Sequence, residues 1–236
     1  TEIYTLSLHD ALPIWTSFRR RLKLFFPLWK NTYNSQIPLW CKGLFLLLKG
    51  RGKIRIRGFM MQLKEELFKA LSKSALDLVG KRKEVPISFS GGVDSYITAA
   101  LVKNYSNPIL YTIGNAESKD IDYSKIASES LECSLEIISL SDEDIVKGIE
   151  GTIGIIGREN SLDILIGTTF YLIAKRINQD RFNICLSGQG ADELFFGYDK
   201  YRRAMAKGED PDGLRNKDVM GLGEILNKRE YKIFGN

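Results

Sequence analysis

Histidine is nearly missing from this chain: His9 is the single one in 236 residues, beside three cysteines, three tryptophans and six prolines. That leaves no imidazole pair for acid–base work and no histidine set for a metal. Cys41, Cys133 and Cys185 are an odd count at wide spacing, which fits neither a disulfide framework nor a zinc site. Cys185 lies in an apolar run and reads as a small buried residue. Long hydrophobic runs are absent too. The longest, Gly43 to Leu48, is bounded by Lys42 and Lys49, far short of the roughly twenty residues a bilayer needs. No small-residue cleavage site follows it, so a secretory signal is not expected and the cytoplasm is the default. There is no internal repeat and no low-complexity tract.

Two common phosphate loops are also lacking. No G-x-x-x-x-G-K-[ST] occurs, and no G-x-G-x-x-G. What stands in their place is Ser90-Gly91-Gly92-Val93-Asp94-Ser95, between an apolar strand, Val85 to Phe89, and a helical run, Tyr96 to Val102. A glycine turn there sits at a helix N-terminus, where free N–H groups and the helix dipole favour an anion. Gly91 and Gly92 let the backbone approach a phosphate, and Ser90 and Ser95 add hydroxyl donors. Asp94 would repel a bare phosphate, so its presence implies a cation between them. An ordinary glycine turn into a helix is the plainer alternative, and the full string argues against it.

The pattern recurs about a hundred residues later. A second strand, Phe182 to Leu186, runs into Ser187-Gly188-Gln189-Gly190, and from Ala191 on Leu194, Phe195, Tyr198, Tyr201 and Arg202 recur at helical intervals. Asp192 and Glu193 fall in that helix's first turn, where the dipole alone could account for them. Two such turns in one chain favour a nucleotide site.

On these residues the chain resembles the N-type ATP pyrophosphatases, a group that includes NAD, GMP, argininosuccinate and asparagine synthetases. Leu186 to Tyr198, with Tyr201 and Arg202 behind it, is similar to the second ATP-site motif of the asparagine synthetase synthetase domain. Phe196 departs from that motif, in which a glycine is usual. The resemblance covers roughly Met60 to the end of the chain. It implies an adenine nucleotide alpha-hydrolase-like (Rossmann-like) fold, with ATP and Mg2+ bound. Ser90, Gly91, Gly92 and Ser95 would hold the β- and γ-phosphates. Asp94 would hold magnesium, with Asp192 and Glu193 on the same cations. Phe89, Ile113 and Gly114 would meet the adenosine, and the backbone of Ser187 and Gly188 would close the site. Gln189 stands where some relatives carry a glutamate near the reacting carboxylate, and it cannot act as a base. The implied reaction is adenylation of aspartate followed by displacement of AMP by ammonia, which could come free or from a separate glutaminase. Asp94, Asp192 and Gln189 are the catalytic candidates. The runner-up enzyme is another member of the pyrophosphatase group, such as a tRNA-thiolating adenylase, against which stand the missing paired catalytic cysteines and the specific second motif. A β-lactam- or amide-forming relative, or a non-catalytic ATP-binding module, remains an alternative.

Strands and helices alternate between the two motifs: Ile109 to Ile113, Asp122 to Leu131, Leu135 to Leu140, Asp142 to Gly157 and Leu162 to Ile177. Such alternation specifies an α/β fold, a parallel sheet with helices on both faces, with ligands at the carboxyl ends of the strands. Asp120, Asp122, Glu129 and Glu132 read as a solvated helix face, and Tyr198, Tyr201, Arg202 and Arg203 as helix packing with a phosphate-facing arginine.

Charge divides the chain at about residue 60. Positions 1–59 hold eleven Lys/Arg against Glu2 and Asp10, a net +9, leaving 23 basic and 27 acidic residues, a net −4, for the rest. The basic character belongs to the N-terminal stretch, so nucleic-acid binding by the ATP domain is not expected. Thr1 to Ile14 resembles a translated sequencing-adapter read, so we expect 1–59 to be non-native or disordered. A basic, aromatic-rich membrane-surface or RNA-contacting arm is the second reading, and a packed subdomain the third. Residues 60–236 form the expected ATP domain, opening with an amphipathic helix from Gln62 to Val79 on which Leu63, Leu67, Ala70, Leu71 and Leu78 could line one face. Lys228 to Ile233 resembles the helix that leads into a further synthetase segment, so truncation at the C-terminus is expected. A homodimer is left open.

Overall fold

The computed structural model describes residues 2–5, 53–115, 118–156 and 161–225. The expectations for 6–52 and for Lys228 to Ile233 lie outside the described residues. Among the described residues there are five strands: β1 (Glu2–Thr5), β2 (Glu84–Ser88), β3 (Asn107–Gly114), β4 (Ser134–Ser139) and β5 (Ile184–Ser187). The helices are α1 (Lys53–Val79), α2 (Val93–Lys103), α3 (Lys119–Leu131), α4 (Asp142–Ile156), α5 (Ser161–Gln179), α6 (Ala191–Phe195), α7 (Asp199–Ala206) and α8 (Pro211–Ile225). The chain forms two compact units; one contains the sheet and Ala75–Ala191, the other Asp192–Asp218 with the stretch that ends at Ser74.

In the first unit every strand pair is parallel, in the order β1-β5-β2-β3-β4. From β2 the chain moves outward through β3 and β4, then returns to lay β5 on the other side of β2. The β2/β5 border is therefore where strand order reverses, the place where open α/β sheets bind ligands. Pairing across this border is confined to Ile87↔Leu186. Phe89 donates its N–H to Tyr111 on the β3 side at 2.8 Å. By alternation Pro86 turns toward β5, where it has no N–H to give.

Alternation along the strands builds two cores. Val85, Ile87, Leu110, Ile184 and Leu186 join Val79 of α1, Ala99 and Val102 of α2, and Ala127 and Leu131 of α3 on one face. Tyr111 and Cys185, one residue out of step, join Ile156 of α4 and Phe170, Ile173 and Ile177 of α5 on the other. Both faces are thus covered, the arrangement that a parallel sheet requires. Across the second face the buried Tyr111 hydroxyl donates to Asp180 at 2.9 Å, and Arg176 reaches Asp180 at 2.9 Å and Glu136 at 3.2 Å. Burial first, and then Asp180, push the Tyr111 hydroxyl above its ordinary value.

Expected strands are found to within two residues of their observed ends, and Asp120, Asp122, Glu129 and Glu132 are exposed as expected. Two helices differ from expectation. The first begins at Lys53 rather than Gln62. The helix expected to continue from Ala191 through Arg202 is broken into α6 and α7, because Phe196 adopts the left-handed region at φ 59°. The break is closed by the Gly197 N–H donating to the Asp192 carbonyl at 2.9 Å. Among the described residues no helix is long and apolar enough to cross a membrane.

Candidate nucleotide site

β2 ends at Ser88 and α2 starts at Val93, so Asp94 and Ser95 occupy the first helical turn rather than the loop ahead of it. Gly92 takes the N-cap position in extended conformation and supplies no side-chain cap to the helix. The serines tie the turn together. Ser95 donates to the Gly92 carbonyl at 3.1 Å, the Ser90 and Ser95 hydroxyl oxygens are 3.3 Å apart, and the Gly92 N–H reaches the Ser90 hydroxyl at 3.3 Å. Ser95 is buried and Ser90 exposed. The contacts at 3.3 Å are long, so a better acceptor could replace them.

Gly91 is required on two counts. Its φ of +72° favours glycine, and a methyl there would stand 2.6 Å from the backbone of Tyr123 and Ser124 in α3. Ser124, buried, bonds its hydroxyl to Thr112 at 3.1 Å, and so fixes the wall against which the loop rests. The Phe89 side chain is in the first core, leaving its backbone as the part available to a ligand. Ile113 and Gly114 end β3, and a methyl at Gly114 would come within 2.9 Å of Ser118 at the start of α3.

The second loop lies on the first. A methyl at Gly188 would stand 2.7 Å from the Ser95 nitrogen and 2.8 Å from the Asp94 carbonyl carbon. Ser187 is buried, its hydroxyl accepting the Gln189 N–H at 3.4 Å, and Gly190 turns the chain at φ +90°. Within the first unit, therefore, Ser90 to Ser95 and Ser187 to Gly190 form one crevice at the carboxyl ends of two neighbouring strands.

In the second unit α6 carries Asp192 and Glu193. A methyl at Gly197 would coincide with the Asp192 carboxylate, so the turn after α6 has to be bare at that point. Glu193 is only 7% exposed; the Tyr198 hydroxyl donates to its Oε1 at 2.6 Å, and its Oε2 has no hydrogen-bond partner. Burial, followed by the Glu193 bond, pushes the Tyr198 hydroxyl upward, so it stays a donor. Around it Phe196 meets Tyr201 edge-on at 5.4 Å, Tyr201 donates to Asp218, and Lys200 pairs with Asp218 at 2.8 Å. Arg215 stacks 5.6 Å over Phe196. Arg202 and Arg203 are exposed and pair with Asp199, at 3.1 and 2.6 Å. The Tyr198–Glu193 bond was not read from the sequence; a tyrosine five residues past a glutamate is legible only once the helix is known to break between them.

Among the described residues no three His, Cys, Asp or Glu side chains group closely enough to make a metal centre. A magnesium ion carried by nucleotide phosphates takes one or two carboxylates and keeps its waters. Within the first unit, Asp94 in the first turn of α2, whose N-cap Gly92 gives no side-chain cap, is a carboxylate of the kind such a cation takes.

The inferred asparagine synthetase [glutamine-hydrolyzing] 1 of Methanocaldococcus jannaschii is 32% identical over 171 residues, covering 72% of this chain and 32% of that protein. The asparagine synthetase [glutamine-hydrolyzing] of Asparagus officinalis is 27% identical over 154 residues, 59% of this chain and 26% of that protein. The amidase ChyE of Penicillium rubens is 25% identical over 201 residues, 72% of this chain and 29% of that protein. The chain thus spans about a third or less of the length of these relatives. The family model for asparagine synthase matches residues 66–233, which takes in both loops, and the chain belongs to the asparagine synthase family.

Proposed function

We propose that this chain carries the nucleotide site of an ATP-dependent amide-forming ligase that activates a carboxylate as an acyl-adenylate, with aspartate as the substrate. The observation that carries the reading is the seating of Gly188 on the first turn of α2, which makes two phosphate-loop motifs one crevice at the strand-order reversal. Ser90, Gly91, Gly92 and Ser95 would receive the β- and γ-phosphates, helped by the free N–H groups of the helix start. Phe89, Ile113 and Gly114 would offer backbone to the adenosine, and Ser187 and Gly188 would line the opposite wall. Asp94 would hold magnesium, and the family resemblance adds Asp192 and Glu193 as further ligands. When bound, magnesium supplies charge neutralisation to the phosphates.

In the proposed reaction a β-carboxylate oxygen of aspartate forms a bond to the α-phosphorus while the bond from that phosphorus to the bridging oxygen breaks. Pyrophosphate leaves with that electron pair, and the loop amides stabilise its charge. The nitrogen of ammonia then bonds to the acyl carbon, AMP departs, and the nitrogen loses its extra protons to solvent or a base other than Gln189. Gln189 can only hydrogen-bond here. The catalysis is positioning and charge neutralisation, which suits a crevice without histidine or a thiolate.

The test is ATP–pyrophosphate exchange by the protein as its gene encodes it. Carboxylate-dependent exchange, greatest with aspartate, is the expected result. Release of ADP and phosphate, or nucleotide binding without exchange under every carboxylate tried, would overturn the reading.

A further inference from the structure

We infer that Ser124 is a positioning residue for the phosphate loop, acting through the Phe89–Ser90 peptide; the inference rests on the nucleotide site proposed above, and every residue in it belongs to the first unit. Ser124 is fully buried in the middle of α3. A buried hydroxyl inside a helix commonly returns to a carbonyl one turn back, as those of Thr98, Thr152 and Thr168 do here. The Ser124 hydroxyl instead leaves its helix. It donates to the Thr112 hydroxyl in β3 at 3.1 Å and stands 3.5 Å from the Phe89 carbonyl, so its one proton has an acceptor in the sheet and another at the root of the loop. The Ser124 nitrogen is also what a methyl at Gly91 would meet, at 2.6 Å. A single residue of α3 therefore touches the loop on both sides of Ser90.

The Phe89–Ser90 peptide is trans, so its C=O and N–H point in opposite directions. The carbonyl faces Ser124, and the Ser90 N–H faces the Ser95 hydroxyl at 3.4 Å. Whatever fixes the tilt of that carbonyl fixes the line of the Ser90 N–H. The Phe89 N–H is already committed to Tyr111 at 2.8 Å, which anchors the root of the loop to β3. Beyond that anchor, the contacts that Ser90 makes within the loop are long, at 3.3 to 3.4 Å, and bonds of that length hold a peptide plane weakly. Ser124 supplies the restraint from outside the loop. Its effect falls on the β- and γ-phosphates that Ser90 would meet, and not on the rest of the nucleotide.

The experiment uses the whole encoded protein, with titration calorimetry of AMP and of α,β-methylene-ATP in the presence of Mg2+, and thermal melting in parallel. S124A should weaken α,β-methylene-ATP binding about three- to tenfold, the size of one net hydrogen bond. AMP, which has neither a β- nor a γ-phosphate, should bind S124A as it binds the wild type. T112V breaks the same bond between the two hydroxyls but leaves the Ser124 proton to the Phe89 carbonyl; it should lower the melting temperature as S124A does and keep wild-type affinity for both nucleotides. S124C keeps the shape of the side chain with a weaker donor, should lose affinity in the same sense as S124A, and carries the test if the alanine variant does not fold. Wild-type affinity of S124A for α,β-methylene-ATP, an equal loss for AMP, or a T112V protein that loses affinity as S124A does would overturn the inference. If the wild-type protein binds neither nucleotide, or binds AMP as tightly as α,β-methylene-ATP, the proposed phosphate crevice itself has failed, and this inference with it.

Discussion

Gly91 and Gly92 are neighbours in one loop, but the structure gives them different duties, and alanine at each should separate folding from binding. At Gly91 the backbone sits at φ +72° and the new methyl would press on α3 backbone at 2.6 Å. The left-handed conformation costs an L-residue roughly 1–2 kcal/mol, and forcing a methyl into packed backbone about 1–3 kcal/mol more. Gly91→Ala should therefore lose about 2–5 kcal/mol, a large part of the 5–15 kcal/mol or so that holds a domain. In urea its midpoint should fall by about 1 M or more. At Gly92 the backbone is extended and a methyl meets only the Ser90 hydroxyl, at 3.3 Å. Gly92→Ala should unfold within about 1 kcal/mol of wild type. Its methyl would nonetheless stand where a phosphate must approach the helix start, and losing one charge-assisted hydrogen bond of about 1.5–3 kcal/mol weakens Mg2+-ATP binding roughly ten- to hundredfold. Urea denaturation and titration calorimetry on both variants test the pair. A Gly91→Ala protein as stable as wild type would refute the steric argument, and a Gly92→Ala protein with full nucleotide affinity would refute the phosphate cradle.

Phe196→Gly should cost less stability than Phe196→Ala, because glycine relieves the φ of 59° while alanine keeps the strain and loses the same ring contacts with Tyr201 and Arg215; equal melting temperatures would show that the backbone there is not strained. Ser141 and Asp144 exchange hydrogen bonds at the start of α4, at 3.1 and 3.2 Å, and the Ser141 bonds hold the Asp144 carboxyl below its usual value. That stabilisation is present above the ordinary carboxylate range and is lost as pH falls through the depressed value, so the urea midpoints of wild type and Ser141→Ala should differ at pH 7 and converge in acid. Tyr111→Phe removes the hydroxyl that Asp180 accepts and should cost about 0.5–1.5 kcal/mol. Since the Tyr111 hydroxyl is raised in the fold, its contribution is complete below pH 10 and fades above it, and the deficit of the variant should shrink as pH climbs.

How much of this was readable beforehand depends on how local each cause is. Strand β2 and the helix after it were legible because apolar alternation and the glycine punctuation act over a few residues. The pairing of the two loops was legible only as an expectation that both lie at strand ends. Nothing local says that β5 returns beside β2 rather than beside β4. That choice is made by the two cores, in which Ile184 and Leu186 face one layer and Cys185 the other. The helix expected to run on past Phe195 shows the opposite limit. Leu194, Tyr198 and Tyr201 do recur at helical spacing, and Tyr201 is fully buried, but periodicity is blind to one residue in the left-handed region.

Phe196 was visible in the sequence as a departure from the family motif, and the structure shows why glycine is usual there: the turn asks for a positive φ. The same turn sets Gly197 against Asp192 and brings Tyr198 onto Glu193. A side chain that makes the turn costlier at its own backbone is offset by an edge contact with Tyr201 and a stack under Arg215, each worth about 0.5–1.5 kcal/mol. The strain and the ring contacts are therefore of the same size and opposite sign. This is why a side chain that breaks the local rule for a left-handed position can persist without displacing the Asp192 and Glu193 carboxylates that precede it.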